Sequence, residues 1–223
     1  DRSPSRGLGD VYKRQLVYST EPYQLSSQWT GQFSKNDLAI VNVNNGLSKL
    51  AIKGNPSPAS LSPNGEYAYG YNQVDSTWYT YNIKTSKYTE LTEGKMFYNE
   101  LSDYPNHPRS YGAAGWTKND KSILIYDRYD IWEFNPETGL NKRLTKGREK
   151  QTSYRYVKLD SEVKHIPVNK KILLNTFNES TKESGYYEFD VKTSKGNQLL
   201  KGPFRYSSPK TVSYTHLTLP TNR

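Results

Sequence analysis

Phe134-Asn-Pro-Glu-Thr-Gly-Leu-Asn-Lys-Arg-Leu-Thr-Lys-Gly147 decides the fold, because its frame recurs three times elsewhere in the 223-residue chain. Val41-Asn-Val-Asn-Asn-Gly-Leu-Ser-Lys-Leu-Ala-Ile-Lys-Gly54, Tyr81-Asn-Ile-Lys-Thr-Ser-Lys-Tyr-Thr-Glu-Leu-Thr-Glu-Gly94 and Phe189-Asp-Val-Lys-Thr-Ser-Lys-Gly-Asn-Gln-Leu-Leu-Lys-Gly202 align with it without a gap. In each, an Asn or Asp (42, 82, 135, 190) stands twelve residues before a Gly (54, 94, 147, 202). The frames follow one another at intervals of 40, 53 and 55 residues. Self-similarity at such a period marks a repeat architecture, in which each unit buries its apolar face only against its neighbours.

Each column has a physical reason. Apolar residues stand directly before the Asn/Asp (Val41, Tyr81, Phe134, Phe189) and two positions earlier (Ala39, Tyr79, Trp132, Tyr187). That period of two predicts a strand with one buried face. The Asn or Asp then opens a turn, since its short side chain bonds the backbone two residues on. Thr85, Thr138 and Thr193 follow, and Gly46, Ser86, Gly139 and Ser194 fall where a left-handed backbone is expected in a short hairpin loop. The second strand carries Leu91-Thr92, Leu144-Thr145 and Leu199-Leu200, and the closing Gly ends it.

Upstream of each hairpin lies another strand with its own lead-in. Ser62-Pro63-Asn64-Gly65-Glu66 precedes Tyr67 to Tyr71, and Thr117-Lys118-Asn119-Asp120-Lys121 precedes Ser122 to Tyr126. Pro at the second position and Gly at the fourth suit a type I turn. Val168-Asn169-Lys170-Lys171, before Ile172 to Leu174, is a degenerate version. A remaining strand is expected just before each turn, for example Tyr111 to Trp116 and Tyr154 to Leu159. Four antiparallel strands per unit make the blade of a β-propeller. A β-sandwich is the runner-up, but it would not reuse the same hairpin columns four times. The fold class is therefore all-β, a partial propeller of about four four-stranded blades with the end blades incomplete. Two blades are expected nearly whole, at about 55–110 and 111–160, with portions of one before and one after. No long stretch carries a helical apolar period.

The two ends read differently. Residues 10–15 back-translate to GATGTGTATAAGAGACAG, the mosaic end of a transposase-based sequencing adaptor, and the same DNA reversed in a shifted frame reads Val212 to Leu217. Residues 1–15 and 211–223 are therefore expected to be adaptor translation, and 16–210 the propeller domain, an open piece of a longer reading frame. On that reading Gly7 and Gly9 are not a phosphate loop, and His216 is not a candidate base.

Without those ends, 195 residues remain. Lys+Arg falls from 31 to 26 and Asp+Glu from 22 to 20, leaving a net charge of +6 of mixed sign along the chain. The densest basic stretch, Lys142 to Lys158, also contains Glu149 and reads as a solvated face, so no nucleic-acid partner is expected. A low apolar fraction would suggest disorder, but 18 tyrosines and four tryptophans favour an ordered, β-rich core. Cysteine is absent, which excludes disulfides and thiolate metal sites. No apolar run is long enough to span a membrane.

Ser62 to Glu66, Asn135 to Thr145 and above all Gly115-Trp-Thr-Lys-Asn-Asp-Lys-Ser-Ile-Leu-Ile-Tyr-Asp-Arg-Tyr-Asp-Ile-Trp132 resemble large bacterial serine peptidases of the prolyl oligopeptidase and dipeptidyl-peptidase IV group. The resemblance covers nearly all of 16–210, with 98–132 its specific part. The hairpins alone also resemble TolB-like propellers. In the peptidase family a propeller precedes a C-terminal α/β-hydrolase domain carrying the Ser, Asp and His, and narrows access so that peptides rather than folded proteins reach the site. The resemblance thus implies a non-catalytic gating and scaffold domain, a peptide substrate handled by a hydrolase domain not present in 16–210, no cofactor, and an exported or periplasmic location. A non-enzymatic TolB-like propeller binding a protein or glycan partner is the alternative.

The chemistry itself is missing from the sequence. No G-x-S-x-G nucleophile elbow occurs, only His107 and His165 remain as candidate bases, and the paired glutamates of some relatives have no match. Ser161/Lys164 and Ser207/Lys210 have chance serine-lysine spacing. Asp127-Arg128-Tyr129-Asp130 reads as a charged hairpin turn rather than a carboxylate pair for catalysis or metal. Glu100 to Ser110 is the longest irregular segment, a candidate substrate-facing or domain-contacting loop. Within it, His107 and Asp103 fall short of a metal site. Asn178-Glu179-Ser180 is a glycosylation sequon by pattern only. No catalytic, cofactor-binding or metal-binding residue is assigned. The fragment alone is expected to hydrolyse nothing, and to behave poorly in solution because an unclosed ring leaves a blade face and strand edges uncovered.

Overall fold

The computed structural model describes residues 14–30, 35–206 and 209. They form four antiparallel meanders placed one after another, a partial β-propeller. The first blade holds β1 (Arg14–Ser19), β2 (Asn36–Asn42) and β3 (Ser48–Asn55). The second holds β4 (Ala59–Leu61), β5 (Tyr67–Asn72), β6 (Thr77–Asn82) and β7 (Tyr88–Glu90). The third holds β8 (Ala113–Trp116), β9 (Ile123–Tyr126), β10 (Ile131–Phe134) and β11 (Asn141–Arg143). The fourth holds β12 (Thr152–Tyr156), β13 (Lys171–Asn178), β14 (Ser184–Asp190) and β15 (Lys195–Gly202).

The frame columns behave as their chemistry requires. Asn82 Oδ1 accepts the amides of Lys84 and Thr85, both at 3.0 Å. Asn135 does the same for Glu137 and Thr138, and Asp190 for Lys192 and Thr193. Gly46, Ser86, Gly139 and Ser194 all have φ between +56° and +72°, the left-handed position that closes each turn. Ser62 to Gly65 is a turn closed by the Gly65 amide on the Ser62 carbonyl at 2.8 Å.

The Leu-Thr column explains the lengths of the last strands. Leu91 and Leu144 are buried, and their amides reach back to the Trp78 and Ile131 carbonyls. The next ladder position is taken by a side chain: Thr92 Oγ1 accepts the Trp78 amide at 2.8 Å and Thr145 Oγ1 the Ile131 amide at 3.0 Å. The hydroxyl substitutes for a backbone carbonyl, so β7 and β11 stop after three residues. Where the pair is Ala51-Ile52 or Leu199-Leu200, no hydroxyl intervenes and β3 and β15 run for eight residues.

Three features depart from the expectation. The fourth blade has all four strands, and its leading strand is Thr152–Tyr156 rather than Tyr154 to Leu159, so the third blade ends near Arg143. The first blade lacks a counterpart of β4, β8 and β12 among the described residues. Between β1 and β2 lies a 3-10 turn (Glu21–Tyr23) that leads into a short helix α1 (Gln24–Thr30), whose only sequence signal is Pro22 near the start of the turn. Residues 1–13 and 210–223, and with them most of the adaptor expectation, lie outside the described residues. β1 nevertheless begins at Arg14, which pairs with Asn42, and Gln15 pairs with Val41.

The core sits between blades. Tyr67, Tyr71 and Trp78 of the second blade pack on Trp116, Ile123, Ile125 and Phe134 of the third, with Phe97 filling the seam. Leu124, Tyr126 and Ile131 meet Ile172, Leu174 and Phe189 in the next seam. The seam of the first two blades is lighter, setting Leu38 and Ile40 against Ala59, Ala68, Tyr79 and Tyr81.

Candidate functional site

A four-stranded meander sends its first and third connections to one side and its second connection, with the crossover to the next blade, to the other. The Asx turns of the frames therefore share one side, the frame side. The β5–β6, β9–β10 and β13–β14 hairpins share the other with the crossovers 91–112 and 144–151.

On the frame side the contacts are repetitive and structural. Asp120, buried and at φ +48°, accepts the Ser62 hydroxyl at 2.5 Å and the Asn64 amide at 3.1 Å, locking one blade's turn to the next. Glu137 accepts Asn82 Nδ2 at 2.8 Å and the Tyr67 hydroxyl at 3.2 Å, while its carbonyl takes Lys87 Nζ.

The crossover side carries the densest polar cluster. Asp127 opens its hairpin as Asn72 and Asn178 open theirs, accepting the amides two and three residues on. Its other oxygen accepts Trp132 Nε1 at 3.1 Å. Asp130 is fully buried. It accepts the Thr145 hydroxyl at 2.7 Å, the Gly147 amide at 2.5 Å, the Arg148 amide at 3.2 Å and Arg143 at 2.6 Å. Such saturation is what lets a carboxylate stay buried. Gly147 is required here, since a Cβ would lie 2.0 Å from the Thr152 carbonyl.

Around this pair the charges interlock across long sequence separations. Arg148 forks onto both oxygens of Glu100 at 2.6 and 3.3 Å, tying the 98–112 crossover to the third blade. Arg128 forks onto Glu179 at 2.6 and 3.2 Å, and the Tyr129 hydroxyl donates to the same carboxylate at 2.7 Å. Both guanidiniums lie about the Tyr129 ring, at 5.0 and 5.3 Å from its centroid. Arg155 donates to the carbonyls of Asp127 and Arg128 and stacks 4.6 Å over Tyr126. The bonds from Arg128 hold Glu179 below the usual carboxylate range, and Glu100 raises Arg148 above the usual guanidinium value. Burial raises Tyr129, and burial lowers Arg155.

The expected charged turn at 127–130 is therefore a hairpin turn, but a buried and fully bonded one. Likewise the basic run 142–158 is not merely a solvated face, since Arg143, Arg148 and Arg155 are all engaged. The sequence had no local signal for these pairs, because the partners lie 48 to 51 residues apart. The two hydroxyls of the cluster, those of Thr145 and Tyr129, both donate to carboxylates. The cluster orients the crossover loop and holds the third blade to the fourth.

The remaining candidates scatter. His107 and Asp103 are exposed in the 98–112 crossover, anchored where Gln73 and Tyr71 donate to the carbonyls of His107 and Pro108. His165 lies in the β12–β13 connection, whose buried Ile166 donates its amide to the Trp116 carbonyl at 2.7 Å. Ser161 and Lys164 are exposed in the same connection, and Ser207 and Lys210 fall outside the described residues. Asn178 is a poor glycosylation acceptor, because its Nδ2 donates to the Lys150 carbonyl at 2.7 Å and to Thr152 Oγ1 at 2.9 Å. No group of three metal-ligating side chains occurs among the described residues. No helix among them is long and apolar enough to cross a membrane.

No family model matches the chain, and no curated protein matches it. Among solved structures it is similar to a protein assigned as TolB from Agrobacterium tumefaciens, at 13% identity and a TM-score of 0.47, over 85% of this chain and 61% of that one. It is also similar to the β-propeller domain of the Trilobed protease from Pyrococcus furiosus, at 16% identity and 0.43, over 74% of this chain and 49% of that one. A third neighbour is the acylaminoacyl peptidase of Pyrococcus horikoshii, at 16% identity and 0.43, over 76% of this chain and 29% of that one. The chain spans less than two thirds of each of these neighbours.

Proposed function

We propose that residues 16–210 are the gating and scaffold propeller of an exported bacterial serine peptidase of the prolyl oligopeptidase family. In this reading peptide hydrolysis belongs to an α/β-hydrolase domain encoded beyond residue 210, and residues 1–15 and 211–223 are adaptor translation. A strand that starts at Arg14 is compatible with this, since backbone pairing accepts any side chain at its frayed end. The observation that carries the proposal is the layout of 98–132, the specific part of the resemblance. Its crossover and its hairpin meet on one side of the blades, where Glu100, Arg128 and Arg148 fasten a long loop to a rigid support. A long loop held on a rigid scaffold is a common carrier of function, and this one has the placement a gating role needs.

A second reading, a non-enzymatic TolB-like propeller that binds a protein or glycan, is favoured by aromatic exposure on that same side. Trp29 is 87% exposed on α1, and Tyr104 is 76% exposed in the crossover.

Recovering the neighbouring DNA separates the two. The peptidase reading expects a hydrolase domain with a G-x-S-x-G elbow within a few hundred codons after Lys210, and a stop soon after ring closure would overturn it. Purified chain should cleave no fluorogenic peptide. Cleavage abolished by a serine-directed inhibitor would place the chemistry within these residues instead.

A further inference from the structure

Two Asn-Gly pairs occur in the chain, Asn45-Gly46 in the first frame and Asn64-Gly65 in the lead-in turn of the second blade. An Asn carboxamide is most open to attack by the following backbone nitrogen when that residue is Gly, because no Cβ crowds the approach. A Cβ built on Gly46 or Gly65 would meet nothing within 4 Å, so the space around both is free. The turns that hold the two pairs differ.

In the first frame every residue from Asn42 to Leu47 is exposed. Asn45 Oδ1 accepts the Leu47 amide at 3.1 Å, which curls the carboxamide over the Gly46 peptide and polarises its carbonyl carbon. The Gly46 amide donates to the Asn42 carbonyl at 2.9 Å, a bond in an exposed turn that opens locally at little cost. The Asn45 column holds Thr85, Thr138 and Thr193 in the other three frames. Thr138 Oγ1 takes the Leu140 amide at 3.3 Å, so a hydroxyl does there what the carboxamide does here, without a carbonyl to attack. The second-blade turn is held more firmly. The Asn64 amide donates to both oxygens of Asp120 at 3.1 and 3.2 Å, and the Gly65 amide closes on the Ser62 carbonyl at 2.8 Å. The buried Asp120 carboxylate also opposes the negative charge that develops during attack.

We propose that Asn45 is a site of intramolecular deamidation. The Gly46 nitrogen bonds to Asn45 Cγ, the Cγ–Nδ2 bond breaks, and Nδ2 leaves as ammonia carrying the Gly46 amide proton. The cyclic imide then takes up a water at either carbonyl and opens to aspartate, or to isoaspartate, in which the backbone runs through the former side chain. Either product puts a negative charge into the first frame turn, and isoaspartate also lengthens its loop.

Peptide mapping by mass spectrometry tests this on the full chain held at mildly alkaline pH, with labelling by an isoaspartate-specific methyltransferase as a second reading. Replacement of amide by acid should accumulate first at Asn45, with Asn64 slower by about tenfold, the weight of one net hydrogen bond. Asn45→Thr, which restores the residue of the other three frames, should remove the early acidic species from an ion-exchange trace and leave the circular dichroism spectrum unchanged. In concentrated urea the two sites should converge, since the Asn-Gly pairs are then alike. An unmodified Asn45, an Asn64 that keeps pace with it in the folded chain, an early acidic species that survives Asn45→Thr, or a difference that persists in urea would each overturn the proposal.

Discussion

At the scale of single residues, the same frame column is solved well in some blades and badly in others. Ser194 holds φ +56° where Gly46 and Gly139 sit in the other frames, and its hydroxyl is buried with no hydrogen-bond partner among the described residues. An L-residue in the left-handed region costs about 1–2 kcal/mol, part of which glycine gives back through unfolded-state entropy. Ser194→Gly should therefore raise stability by about 1 kcal/mol, read as a higher urea midpoint with unchanged slope. A lower midpoint would show that the side chain has a role the geometry does not reveal. Asp120 is the opposite case, a left-handed residue kept for its carboxylate. Asp120→Ala leaves the Ser62 hydroxyl and the Asn64 amide without their acceptor and should cost about 2–3 kcal/mol. Asp120→Asn, which keeps one oxygen, should recover about half of that. Equal losses for the two variants would mean that the turn contact contributes nothing.

Elements are joined by ionic locks whose partners are remote in sequence, and this is where pH acts. The β9–β10 and β13–β14 hairpins meet through Arg128 and Glu179. Hydrogen bonds from Arg128 lower the folded-state pKa of Glu179, with the Tyr129 hydroxyl adding to the effect. A lowered carboxylate contributes stability above its unfolded value of about 4.3 and loses it as pH falls through the folded value. Glu179→Gln should therefore cost about 1–2 kcal/mol at neutral pH, and the gap from wild type should close as pH drops below about 4. A gap independent of pH would refute the lock. The Asn/Asp turns and left-handed positions were legible in the sequence because they are local, each within five residues. The lock was not, because nothing in Asp-Arg-Tyr-Asp says whether its charges meet water or meet Glu100 and Glu179. The Leu-Thr column was visible, yet its meaning, a hydroxyl replacing a carbonyl in the ladder, required the neighbouring strand.

On the scale of the whole molecule, a linear run of blades contacts only nearest neighbours, so stability is a sum of blades and seams rather than one cooperative block. The seams are unequal. The third blade has a neighbour on both sides, and β9 is buried at all four positions. The first has one neighbour and three strands, is mostly exposed along β1 and β3, and packs on a seam containing Ala59 and Ala68. Local opening should therefore begin at the first blade and reach the third last. Amide hydrogen exchange should show β1 and β3 exchanging first, β5 and β13 later, and β9 with β10 last. Glu179→Gln should speed exchange in β13 and β14 more than in β5, because it weakens only the seam between the third and fourth blades. Uniform protection across the four blades would contradict the additive picture, and would mean that the crossover-side ion network couples the blades into one unit.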